Sequence, residues 1–361
     1  MGNPSERRML ILNYNGLGNG IYTLLLLKRL EELREGYSYF HIQSPGFTPE
    51  ITQWLGLKNC LGVVPSIWRR VRRADWDAIR SFIFDNHIDL VVNLRKEGPT
   101  RDVGYFQFKR EVAPGGVEFW ELEHRPLLYP TVHQHAVLDI VGMFASRGID
   151  LTGFNRYLLR DLVASLGGLE EKRKRIGFFT GSSQTVKMWS ACRWLGLGKM
   201  LLDETDFSIS VYAGQTEMEL SLAGEIVNQL ESGSVGGRCA LVAGLSLKSL
   251  CIHLGGLDLV ISNDTGAVHI AAALNLPTIG LYFSTDAIIW GGFSDNFTPT
   301  QSQFGLSCPE LKRDTGSCKS YYGGCSAPCG DEVTPERVFG AVKRHLQGAN
   351  SLSLAAHGGG A

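Results

Sequence analysis

The strongest constraint on this chain is an alternation that runs, stops and starts again. Strands are expected at Met9 to Asn13, Tyr37 to Ile42 and Asp89 to Leu94, with helices over residues 19 to 35 and 74 to 86. A further helix is expected over residues 131 to 147, closed by Gly148. The charge-rich passage "DLVASLGGLEEKRKR", residues 161 to 175, interrupts the pattern and reads as a linker. The alternation then resumes, with strands at Ile176 to Thr180, Phe207 to Ala213, Cys239 to Ala243, Leu257 to Ser262 and Thr278 to Phe283. Helices fall between them near residues 187 to 203, 217 to 231, 246 to 254 and 265 to 275. Short apolar strands separated by helices pair in parallel, with the helices as crossovers.

The expectation is therefore α/β: two Rossmann-like lobes, residues 1 to 160 and 176 to 333, joined by the 161 to 175 linker. A closing helix over residues 334 to 347 has Thr334 as its N-cap and Pro335 at its first position. The small, polar remainder, 348 to 361, reads as a disordered tail. A chain of 361 residues exceeds what one core comfortably fills, which agrees with two lobes.

Composition narrows the function classes. Hydrophobic residues make up 44% and charged residues 20%, and 35 basic against 36 acidic side chains leave a net charge of −1. Such a chain has no basic field of the kind that draws nucleic acid. No apolar run reaches the ~20 residues of a membrane span. The opening "MGNPSERRML" lacks a signal-peptide core, so the expected location is cytoplasmic. Four of the eight cysteines, Cys60, Cys192, Cys239 and Cys251, stand singly and are expected in the core.

In open parallel sheets ligands sit outside the carboxyl ends of the strands, so the strand exits carry the functional reading. The most informative is "LDLVISNDTGAVHIAAALNLPTIGLYF", residues 257 to 283. Its strand leaves through Ser262, Asn263, Asp264, Thr265 and Gly266 straight into a helix, whose free N–H groups and positive dipole end make an anion site. Asp264 can cap that helix or accept from a ligand hydroxyl, and His269 lies one turn further on the side of Thr265. Alone, this stretch is equally a capped helix with a core histidine. The exit "TGSSQTVKMW" adds Ser182, Ser183 and Lys187, groups that suit a phosphate. "VYAGQTE" adds Gly214 and Glu217, a carboxylate for vicinal hydroxyls, and "VAGLSLKSL" adds Gly244, Leu245 and Ser246 as a shelf for a base. Hydroxyl, lysine, carboxylate and helix-terminus donors on four successive exits describe a nucleotide-diphosphate site.

"ISNDTGAVHIAAALNLPTIGLYFSTD" resembles the signature of glycosyltransferase family 9, the ADP-heptose:lipopolysaccharide heptosyltransferases. Lys187 followed by Trp189 is similar to that family's K-x-W, and Gly214 to Glu217 to its G-x-x-E. The resemblance covers most of residues 9 to 346 and is looser from about 95 to 160. It implies the GT-B architecture, two Rossmann-like lobes whose parallel sheets face a central cleft. It implies inverting transfer of a heptose from ADP-heptose to a hydroxyl acceptor, with no metal or other cofactor required. The acceptor is lipopolysaccharide core, protein or small molecule. The donor residues it implies are Ser182, Ser183, Lys187, Glu217, Gly244, Leu245, Asp264, Thr265, Gly266 and His269. Lys187 and the helix start at Thr265 would stabilise the departing diphosphate.

The family's first glycine turn ends in an aspartate, the proposed base that deprotonates the acceptor. Here the turn reads Gly16-Leu17-Gly18-Asn19, and Asn19 accepts no proton. The base is then elsewhere, with Glu97 and Asp102 after "DLVVNL" as candidates beside Arg95, Lys96 and Arg101, or the chain is a sugar-nucleotide-binding protein with weak or no transferase activity. His133 and His135 are further candidates, though a helix-surface position is the default for both. A nicotinamide-dependent oxidoreductase would need "GLGNG" to open a G-x-G-x-x-G fingerprint, but the position for its last glycine is Ile21.

Two features remain. Cys308, Cys318, Cys325 and Cys329 lie within 22 residues and could clasp a structural zinc or iron, yet C-x9-C-x6-C-x3-C lacks the paired spacing of a zinc ribbon. Cysteines in this region also occur in related heptosyltransferases. "WRRVRRADW", residues 68 to 76, would suit peripheral contact with an anionic membrane, or is a solvated helix face.

Overall fold

The computed structural model describes residues 7–13, 17–33, 37–43, 49–58, 60–63, 73–94, 103–122, 134–167, 174–233, 237–309, 311–312, 317–318 and 329–357. The chain divides into two compact units, Met1–Leu158 and Leu159–Ala361.

The first unit runs β1 (Arg7–Asn13), α1 (Leu17–Leu33), β2 (Tyr37–Gln43), α2 (Pro49–Trp54), β3 (Cys60–Val63), α3 (Arg73–Asp85), β4 (Leu90–Asn93), α4 (Val103–Val112), β5 (Glu118–Glu121) and α5 (Ala136–Ala145). All five strands are parallel, in the order β3-β2-β1-β4-β5. The order reverses direction between β1 and β4, which are parallel neighbours in the sheet. The sequence foresees β1, β2 and β4 but not β3 and β5, the short strands at the two edges of the sheet.

Helix α1 departs from its expected amphipathic form. Ile21, Tyr22, Leu24, Leu25, Leu26, Leu27 and Leu30 are all at most 5% exposed, so this helix is buried on more than one face. It also starts earlier than expected, at Leu17, which puts Gly18 and Gly20 inside its first turns rather than in the turn before it. Two further expectations are corrected. His135 is not on a helix surface: it is buried, Nδ1 accepts the Val137 N–H at 3.2 Å as the cap of α5, and its ring meets Tyr22 edge-on at 5.5 Å. Trp76 is not available to a membrane, because it is buried and stacks on Phe108 with ring centres 4.8 Å apart. Residues 68 to 72 of the arginine run lie outside the described residues.

The second unit runs α6 (Leu158–Ser165), β6 (Arg175–Phe179), α7 (Ala191–Glu204), β7 (Ser208–Tyr212), α8 (Glu217–Gly233), β8 (Cys239–Val242), α9 (Leu247–Gly255), β9 (Leu259–Asn263) and α10 (Gly266–Ala273). It continues through β10 (Thr278–Tyr282), α11 (Ala287–Trp290), β11 (Phe297–Gln301), α12 (Gln303–Ser307), the two-residue strands β12 (Leu311–Lys312) and β13 (Ser317–Cys318), and α13 (Pro335–His357). Six parallel strands order as β11-β10-β9-β6-β7-β8.

Part of the expected linker is helical, because Leu159 and Val163 of α6 are fully buried. The last helix passes its expected end and continues to His357. Cys251 is buried as expected and Cys239 half-buried, whereas Cys192 is exposed and the Cys60 side chain lies outside the described set. One face of the sheet forms an apolar core, with Ile176, Phe178, Val211, Leu259, Ile261 and Leu281 packed with Trp189, Trp194 and the α13 residues Val338 and Val342. No described helix is long and apolar enough to cross a membrane.

Candidate active site

The parallel sheet of the second unit carries the exits of β8, β7, β6 and β9 side by side along one edge. Strand order reverses at β6, which lies between β7 and β9, and such a switch point is where open α/β sheets bind ligands.

Lys187 and Asp264 meet there. Lys187 Nζ lies 2.5 Å from Asp264 Oδ2, with the two side chains 11% and 6% exposed. The sequence places Lys187 at the start of a long helix, but it sits on a single 3-10 turn, Thr185–Lys187, and α7 begins only at Ala191. Nor does Asp264 cap α10. Thr265 does, its Oγ1 accepting the Ala267 N–H at 3.4 Å, which leaves the aspartate to bind the lysine. Gly266 opens α10, whose free N–H groups thus start beside an ion pair. His269, one turn in, is buried.

Asn263 supplies a connection that no motif announces. Its Nδ2 donates to Thr180 O at 2.8 Å and its Oδ1 accepts the Trp189 N–H at 3.1 Å. One fully buried amide therefore ties down both ends of the loop that carries Ser182, Ser183 and Lys187. Trp189 is anchored again through its Nε1–H, which donates to Val333 O at 2.8 Å. Ser182 is buried and accepts the Gln184 N–H at 3.3 Å, whereas Ser183 is exposed.

The exits of β6 and β7 converge on a carboxylate, and it is Glu219. Thr216 Oγ1 donates to Glu219 Oε2 at 2.8 Å and accepts the Glu219 N–H at 3.3 Å, so the hydroxyl at the start of α8 both caps the helix and holds the carboxylate. A Cβ built on Gly181 would lie 2.6 Å from Glu219 Oε1, so the glycine makes room for the acid. Glu217, named by the sequence, is exposed at the first position of α8. At the β8 exit Gly244 has φ +72°, a left-handed turn that leaves Leu245 36% exposed. Sequence reasoning missed the role of Asn263 because a side chain that braces a loop from another strand leaves no local period, whereas Glu219 had a local signal in its Thr216-x-x-Glu219 spacing and was passed over for Glu217.

Asn19 is the third residue of α1, and its side chain lies outside the described set. Glu97, Asp102, His133 and Cys325 also fall outside it. Of the late cysteines, Cys308, Cys318 and Cys329 are described and half-buried, and the Cys318 N–H donates to Ser284 O at 2.8 Å. Among the described residues no group of three or more His, Cys, Asp or Glu side chains stands close enough to hold a metal ion.

Two units, each built on a parallel sheet between helices, have the architecture of a GT-B glycosyltransferase. The family model for glycosyltransferase family 9 (heptosyltransferase) matches residues 114–317, and the chain belongs to that family. Lipopolysaccharide heptosyltransferase 1 of Pseudomonas aeruginosa is 26% identical over 329 residues, 84% of each chain. The enzyme of the same name from Escherichia coli K12 is 23% identical, covering 80% of this chain and 92% of its own. Among solved structures, a glycosyl transferase family 9 protein from Veillonella parvula superposes with TM-score 0.67 at 18% identity, covering 96% of this chain and 99% of that one. E. coli heptosyltransferase WaaC with ADP-2-deoxy-2-fluoro heptose gives TM-score 0.63 at 18% identity, covering 93% and 99%. The protein is a heptosyltransferase-like glycosyltransferase.

Proposed function

We propose that the protein transfers a heptose from ADP-heptose to a hydroxyl acceptor, with inversion at the sugar carbon and without a metal ion. The observation that carries this reading is the Lys187–Asp264 pair at the β6/β9 switch point beside the start of α10. A departing nucleoside diphosphate needs positive charge, and Lys187 together with the α10 N–H groups supplies it in a site largely withdrawn from water. Ser182 and Ser183 belong to the same loop and Thr265 to the helix cap. The exposed main chain at Gly244 and Leu245 takes the base, and Glu217 or Glu219 the ribose hydroxyls. His269 and Gly266 complete the donor residues. ADP-heptose is favoured among nucleotide sugars because the full-length relatives are named lipopolysaccharide heptosyltransferases and a solved relative holds an ADP-heptose analogue.

The acceptor is the lipopolysaccharide core by the same argument, ahead of a protein or small-molecule hydroxyl. An enzyme of this kind works in the cytoplasm, with residues 68 to 73 as its peripheral membrane contact. Deprotonation of the acceptor is assigned to the first lobe, with Asp102 and Glu97 as base candidates. The late cysteines, with zinc or iron bound, would have a structural role only.

Calorimetric titration with ADP tests the donor assignment. Binding that weakens at least about tenfold in Lys187→Ala and Asp264→Ala is expected, and unchanged affinity in both sinks it. Asn19 favours a second reading, a nucleotide-sugar-binding protein with little turnover. Rates on ADP-heptose with an acceptor separate the two. A large gain in Asn19→Asp supports the degenerate site, whereas strong native turnover lost in Asp102→Ala or Glu97→Ala supports a relocated base.

A further inference from the structure

The loop after β10 reaches the ion pair from a side that no motif assigns. Thr285 is 2% exposed, and its Oγ1–H donates to Asp264 Oδ2 at 2.5 Å, the oxygen that also holds Lys187 Nζ. The main chain of Thr285 is itself braced. Gln301 Nε2 donates to Thr285 O at 3.1 Å and to Tyr282 O at 3.2 Å, while Gln301 Oε1 accepts the Ala287 N–H at 2.9 Å. The hydroxyl is thus aimed by an amide on the neighbouring strand β11.

This arrangement matters when an anion enters. Lys187 bound to Asp264 must turn away from it to meet a diphosphate, and the aspartate would then be a buried charge with its cationic partner gone. An uncompensated buried carboxylate is costly enough to oppose that turn, or to take up a proton instead. A hydroxyl already bound to the same oxygen lowers that cost, because a hydrogen bond to the charged form favours it. Few side chains do this as well as threonine, whose β-branch restricts χ1 and holds the hydroxyl in place.

We propose that Thr285 is a positioning residue of the donor site: its hydroxyl keeps Asp264 in place and hydrogen-bonded while Lys187 passes from Asp264 to the donor diphosphate. The proposal rests on the reading that a nucleoside diphosphate sugar occupies this site. It assigns Thr285 no contact with the donor. The ion pair is then a resting state that exchanges one anion for another, with Thr285 as the partner that does not leave.

The test uses the full chain, ADP as the binding probe and ADP-heptose turnover as the kinetic one, in Thr285→Val, Thr285→Ser, Thr285→Cys and Lys187→Ala. Thr285→Val is expected to raise the ADP Kd and the donor KM together by roughly tenfold, with kcat changed less. Thr285→Ser restores both, which a purely space-filling role would not require. If Thr285→Val does not fold, Thr285→Cys carries the comparison, a thiol being a poor donor of similar size. Native ADP affinity and native donor KM in a folded Thr285→Val or Thr285→Cys protein, with Lys187→Ala at least about tenfold weaker, overturn the role of Thr285 and leave the donor site standing. ADP affinity unchanged in Lys187→Ala overturns the donor site and this proposal with it.

Discussion

Lys187 Nζ and Asp264 Oδ2 lie 2.5 Å apart although their residues leave different strands, β6 and β9, which are neighbours in the sheet. Both belong to the proposed donor site, and each satisfies the other's charge. Removing the lysine alone strands a carboxylate that is 6% exposed. Lys187→Ala is expected to cost about 3–5 kcal/mol of stability, and the double variant Lys187→Ala, Asp264→Asn clearly less. Urea unfolding of the three proteins checks this. With Asp264→Asn added to close the cycle, a double-variant loss equal to the sum of the two single losses would show that the pair contributes no coupling.

Asn263 closes the lysine loop at both ends through Thr180 O and Trp189 N. Asn263→Ala leaves two buried main-chain groups unpaired and is expected to destabilise by about 2–5 kcal/mol. Asn263→Asp keeps the acceptor for Trp189 but turns an oxygen toward the Thr180 carbonyl, so it does not rescue. A red shift of tryptophan emission at native ADP-free conditions, from Trp189 gaining water, reports the loosened loop.

Two acids compete for the ribose, and Gly181 separates them. Its Cβ in Gly181→Ala would meet Glu219 Oε1 at 2.6 Å, and a carboxylate on a flexible stem moves aside at a cost of about 1 kcal/mol or less. If Glu219 holds the ribose, Gly181→Ala and Glu219→Gln both weaken ADP, and Glu217→Gln does not. Titration with ADP against inorganic diphosphate, which has no ribose, isolates the effect.

His41 in β2 is buried, and burial alone drives its pKa from 6.5 down to about 3. A group whose folded pKa lies below its unfolded value takes up protons mainly in the unfolded chain, so its contribution is present above pH 6.5 and is lost as pH falls toward 3. Across that window the slope approaches about 1.4 kcal/mol per pH unit from this group. Guanidinium unfolding between pH 7 and pH 4.5 checks it, with the acid loss reduced in a folded His41→Gln protein.

The donor lobe could be read from the chain in order. The strand of "LVISN" is fully buried and its helix starts at Gly266, as the apolar run and the small residues after it require. Lys187, Asp264 and Thr265 were legible because charged or hydroxylic residues stand where apolar strands end. The first lobe was less legible. The edge strand β5, "EFWE", has only Trp120 buried and so lacks the apolar run of the equally short central strand β4, and "TLLLLKRL" shows one stripe of leucines although α1 is buried on several faces.

Local pattern was enough to specify two α/β units, their order and the sheet edge at which Lys187, Asp264 and Thr265 gather, because strand and helix periods and strand exits are properties of neighbouring residues. Pairing belonged to the tertiary structure. It joined Asp264 to Lys187 rather than to its own helix, set Glu219 rather than Glu217 against Gly181, and put Asn263 and Thr285 behind the site. Those contacts join residues brought together by sheet order, and the energy of a buried charge depends on which distant partner reaches it.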